Sequence, residues 1–136
     1  MNYLPKKDLR LMRFIGWFSP AFMTDFWTTI GEDCYYPTTV TDPMRSEYKN
    51  IRVHELVHTE QQHKYTKPVW FALYFFCPLP VFLAYFRWRF EREAYLVQIT
   101  GTTVSNETVV NLLHNSYFYP WPKRWMLEWF NENRGP

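Results

Sequence analysis

Residues 68–86 carry no charged side chain and are bounded by Lys67 and Arg87, a run long enough for a membrane-spanning helix. Cys77-Pro78-Leu79-Pro80 falls at its middle, where two prolines remove backbone donors and disfavour helix at the residue before each. Two apolar halves joined by a bend are expected. The flanking residues narrow the choice further. Upstream stands His54-Glu55-Leu56-Val57-His58, and downstream stand Glu91 and Glu93.

On a helix, residues four apart leave the same face, so His54 and His58 can grip one metal ion. Glu55 lies in the same sector, where it can polarise a water in an open coordination position. A site of that kind needs a third protein ligand. His63 fails the spacing of a three-histidine motif, since Gln61 and Lys64 stand where that motif has glycine and histidine. Glu60 points about 200° away from His58. His114, alone near a helix end, reads as a capping residue. Glu91 and Glu93 remain, and either must come within about 2 Å of the ion held by the histidines. A straight helix across a membrane would separate its ends by roughly 28 Å, so joint ligation and a single crossing exclude each other. A helical hairpin turning at residues 78–80 is therefore preferred over membrane insertion of residues 68–86.

The rest of the chain is compatible with one domain, residues 1–136, whose 47% hydrophobic content fills a core. Aromatic residues reach 21%, which implies either a ring-rich core or an aromatic docking surface. A net charge of +2 without a basic stripe argues against nucleic acid as a partner. Cys34 and Cys77 form neither a disulfide framework nor a metal-binding pair by spacing. Arg13, Gly16 and Pro20 spoil a signal peptide, so a cytoplasmic or virion-associated location is expected.

Residues 7–18 place Leu9, Met12, Phe14, Ile15, Trp17 and Phe18 among Lys7, Arg10 and Arg13. A helix or arm packed on the domain is preferred here over a membrane-surface anchor. Residues 26–36 read as a β-hairpin with a loop at Gly31-Glu32-Asp33, and Pro37 suits a sheet edge. Asp42-Pro43 starts a helix that runs to about Lys64 and carries Ile51, His54, Glu55, His58 and Gln61 or Gln62 on one face. Its later part, Thr59 to His63, is polar enough to meet solvent or a cleft. A second helix carries Glu91 and Glu93. Ser105 caps a helix of about two turns, residues 117–122 form an aromatic loop, and residues 123–133 a terminal amphipathic helix.

His54-Glu55-x-x-His58 with Gln61-Gln62, followed by Phe90-Glu91-Arg92-Glu93-Ala94-Tyr95, resembles the small gluzincin-type zinc metallopeptidase-like proteins of bacteria and bacteriophages. The resemblance covers roughly residues 25–98. It leaves 1–24 as an N-terminal arm or amphipathic helix and 99–136 as a helical extension. It implies a mostly α, α+β fold: a minimal zincin-like domain with a β-hairpin ahead of the HExxH helix, an apolar helical hairpin and a second metal-ligand helix. By the register of that family Zn²⁺ is held by His54, His58 and Glu91, with Glu93 the alternative third ligand and Glu55 the general base. Tyr95 stands where the family has an acidic residue. The hairpin of residues 26–36 would lie along an extended peptide substrate. Tyr95, His114, Tyr117 and Tyr119 are candidate donors to an oxyanion. A protein or peptide substrate is expected, or a virion-type assembly partner for a non-enzymatic scaffold.

Overall fold

A computed structural model describes residues 1–75, 80–116 and 122–134. The fold is α+β and mostly helical, with one small three-stranded sheet. The chain packs as two compact units, Met1–Lys64 and Tyr65–Pro136. Among the described residues no helix is long and apolar enough to cross a membrane.

In the first unit the hairpin forms as strands β2 (Thr28–Ile30) and β3 (Asp33–Tyr36). Ile30 pairs with Asp33, so the turn is the two residues Gly31 and Glu32, and Gly31 adopts a left-handed φ of 64° at little steric cost. The N-terminal arm contributes a strand that local pattern did not announce. Strand β1 (Asn2–Pro5) pairs in parallel with β3, which makes β3 the central strand rather than an edge. Pro37 is tolerated because it follows the last register pair, Pro5 with Tyr36, and owes no ladder bond.

Helix α1 (Arg10–Phe18) packs against the short α2 (Pro20–Thr24). Gly16 permits this: a Cβ there would stand 2.3 Å from Met23 Cγ. Helix α3 (Lys49–Tyr65) begins later than Asp42-Pro43 suggests. The Asp42 carboxylate accepts the Met44 N–H at 2.9 Å and holds a local turn. Arg52 Nη1 then donates to the carbonyls of Pro43 (2.7 Å) and Arg45 (2.9 Å), so residues 42–45 are tied back onto the helix instead of extending it.

The second unit contains α4 (Lys67–Phe75), α5 (Pro80–Ile99), α6 (Asn106–Ser116) and α7 (Lys123–Asn133). Helices α4 and α5 pack together, with the Trp70 ring beside Phe90 and Arg87 over Tyr74. The bend expected at 78–80 and the loop expected at 117–122 lie largely outside the described residues. A core of Trp88, Tyr95, Ile99, Val109, Val110, Leu113, Met126 and Phe130 joins α5, α6 and α7. Ser105 Oγ accepts the Thr108 N–H at 3.2 Å, the expected cap. The helix it starts is longer than two turns, because Val109, Val110 and Leu113 form one buried stripe that packing extends past weak helix formers. At the other end of the bundle Arg134 donates to the carbonyls of Ile99, Thr102 and Val104, which closes the C-terminus of α5.

Candidate metal centre

Helix α3 inverts the usual amphipathic pattern. His54, Glu55, His58, Thr59, Gln61 and Gln62 are buried, while Leu56 is exposed. Buried polar groups must be hydrogen-bonded or stand unsatisfied at a cost, so this face reveals its purpose through its partners. The later part of the helix, expected to meet solvent or a cleft, divides: Glu60, His63 and Lys64 are exposed, while Thr59, Gln61 and Gln62 are buried.

His54 and His58 turn their Nε2 atoms toward each other at 3.1 Å. Two nitrogens about 2.05 Å from one ion at a tetrahedral angle stand about 3.3 Å apart, so the pair is spaced for shared ligation. Gln61 Oε1 lies 3.0 Å from His58 Nδ1. An amide oxygen only accepts, which places the His58 proton on Nδ1 and leaves the Nε2 lone pair for a metal.

Glu55 is held from the sheet. Thr29 Oγ1 on β2 donates to Glu55 Oε2 at 2.6 Å. The strand is fixed in turn by the fully buried Gln62, whose Nε2 donates to the Thr29 carbonyl (2.9 Å) and whose Oε1 accepts the Gly31 N–H (2.7 Å). One helix thus presents the histidines and, through Gln62 and Thr29, fixes the Glu55 carboxylate. Lys6 adds a buried positive charge to this unit. Its Nζ donates to the Phe22 carbonyl at 2.6 Å and sits 3.7 Å over the Phe22 ring. Burial lowers its pKa to about 8, against the opposing pull of the Glu55 charge. Burial, reinforced by Glu55, pushes the Cys34 thiol far up, so Cys34 is an inert neutral thiol.

In the second unit Glu91 is buried on α5 and Glu93 is exposed, as a separation of two residues on a helix requires. Tyr74 Oη donates to Glu91 Oε1. The tyrosine is itself fixed by stacking on Trp70 at 4.7 Å and by Arg87, whose guanidinium lies 5.1 Å from its ring centre.

His54, His58 and Glu91 form a buried group in which each offers one ligand atom, and these atoms lie within 4.8 Å of one another. Such a group could hold a metal ion. The two-nitrogen, one-oxygen donor set suits a borderline divalent ion.

Other candidates stand apart from this group. Glu60 and His63 are exposed, and Glu93 is not one of the three. Tyr95 belongs to the apolar core of the second unit, and His114 lies in the last turn of α6. Tyr117 and Tyr119 fall outside the described residues. Thr29, Tyr74 and Lys6 escaped the sequence reading. Thr29 and Lys6 act across the chain fold rather than along it, and Tyr74 is hidden inside the apolar run. The spacing that put Gln61 and Gln62 on the histidine face was the available signal for their role. Comparisons of the chain with protein-family models, with curated proteins and with solved structures found no match.

Proposed function

We propose that the chain is a zinc-dependent peptide hydrolase of gluzincin type, with His54, His58 and Glu91 as ligands and Glu55 as general base. The observation that carries this reading is the buried His54, His58 and Glu91 group, with Glu55, next to His54 on α3, accepting a hydrogen bond from Thr29. Bound zinc supplies a Lewis acid that polarises a carbonyl and makes water acidic enough to attack at neutral pH. The chain's own residues do the remainder. Gln61 keeps the His58 tautomer, Tyr74 orients Glu91, and the Glu55 carboxylate takes the proton from the attacking water and returns it to the leaving amine.

One observation favours a second reading, a non-enzymatic assembly protein, for example of a virion, that keeps the metal as a structural ion. The free edge of β2, along which an extended substrate would lie, is hydrogen-bonded at Thr29 and Gly31 by Gln62. A Glu55→Gln variant separates the two. Under the hydrolase reading the zinc-loaded parent cleaves a degenerate fluorogenic peptide library, and the variant keeps its zinc but loses cleavage. A zinc-loaded parent that cleaves nothing in the library, or a variant as active as the parent, overturns that reading.

A further inference from the structure

Helix α1 carries an apolar face that the fold leaves uncovered. At 100° per residue Leu11, Phe14, Ile15 and Phe18 fall within a sector of about 100°, and Trp17 borders it on one side. Met12 and Gly16 are opposite, where Met12 is buried and Gly16 meets Met23 of α2. The side that packs is thus the narrow one. Trp17 is 77% exposed, Phe18 69%, Phe14 60% and Leu11 54%. Residues 7–18 thus form a helix from Arg10 that packs on its unit through Met12 and Gly16, while its larger apolar side faces outward.

Its cations are as exposed as its rings. Arg10 and Arg13 flank Trp17 on the helix, and Lys7 stands just before it. Among the described residues none of these three side chains has an ion-pair partner, and residues 7–18 hold a single carboxylate, Asp8. The three rings expose on the order of 400 Å². With Leu11 and Ile15 the face stays below the ~800 Å² that each partner of a stable protein pair buries. A bilayer surface asks for no such area. It needs rings that enter the acyl boundary and cations that meet anionic headgroups, both on one rigid short helix.

We propose that α1 is an interfacial docking element for anionic lipid bilayers, with Phe14, Trp17 and Phe18 inserting and Lys7, Arg10 and Arg13 contacting the headgroups. The proposal is independent of the metal centre, whose residues lie elsewhere in the chain. The full chain should co-sediment at low salt with vesicles of equal parts phosphatidylcholine and phosphatidylglycerol, and far less with phosphatidylcholine alone. Arg10→Glu with Arg13→Glu should weaken binding by at least roughly five-fold for each arginine lost. Trp17→Ser with Phe18→Ser should weaken it roughly ten-fold or more. Both variants should keep the parent's circular dichroism and zinc content, since neither pair of side chains is buried. Three results would each overturn the proposal: no binding of the parent to the anionic vesicles, equal binding to both vesicle types, or binding untouched by the Trp17 and Phe18 changes. A parent that runs as a dimer and is made monomeric by those changes would reassign the face to self-association.

Discussion

Gln62→Leu tests how the fold holds the strand that carries Thr29, the partner of the Glu55 carboxylate. Gln62 is fully buried, and its amide satisfies two backbone groups of the hairpin, the Thr29 carbonyl of β2 and the Gly31 N–H of the turn. Leucine fills a similar volume but offers neither a donor nor an acceptor, and the surrounding burial admits no easy replacement. Each buried group left without a partner costs about 1–3 kcal/mol, so the two together cost roughly 2–6 kcal/mol. Greater burial of apolar surface by leucine offsets about 1 kcal/mol of this. A net loss near 3 kcal/mol is expected, a large share of the stability of a small protein. Urea unfolding followed by far-UV circular dichroism, with chelator present so that metal binding does not add to the native state, measures it. A loss under about 0.5 kcal/mol at unchanged m value would refute the claim that Gln62 splints β2 to α3.

Two further outcomes follow from the neighbours of the site. Tyr74→Phe deletes only the hydroxyl that donates to Glu91, and should weaken zinc affinity roughly 10- to 100-fold in a chelator competition while leaving the fold's circular dichroism intact. Equal affinity would show that the tyrosine does not orient the ligand. Lys6 sets a pH dependence of unusual sign. Its folded pKa of about 8 lies below the ordinary lysine value of about 10.4, so between these the unfolded chain binds more protons and stability rises with pH. Below pH 8 both states hold the proton and the cost of burying the ammonium is fully present. The urea midpoint of the parent, minus that of Lys6→Met, should climb across this window, and a flat difference would remove Lys6 from the account.

What could be read from the sequence is what short-range geometry decides. The spacing of His54 and His58 put both rings on one face of α3, and their Nε2 atoms stand 3.1 Å apart. The turn at Gly31, the cap at Ser105 and the terminal helix over residues 123–133 are also local, and the structure contains all three. The misses are long-range. Strand β1 exists because β3 offers it a ladder thirty-one residues away, as the bond between Asn2 and Asp33 shows, and four residues carry no pattern of their own. The start of α3 moved because Arg52 captures the carbonyls of Pro43 and Arg45, a contact that a capping rule cannot foresee. Two carboxylates two residues apart looked alike as letters, and only packing buried Glu91 and exposed Glu93. The same holds for α1, whose amphipathic pattern was plain while the side left uncovered was not.

The central claim is that His54, His58 and Glu91 hold one metal ion. Metal analysis of the purified chain beside Glu91→Ala and Glu93→Ala tests it most directly. Near-stoichiometric zinc in the parent and in Glu93→Ala, with loss in a folded Glu91→Ala, is the predicted result. A parent without bound metal, or a Glu91→Ala variant that keeps the parent's full complement, would contradict it.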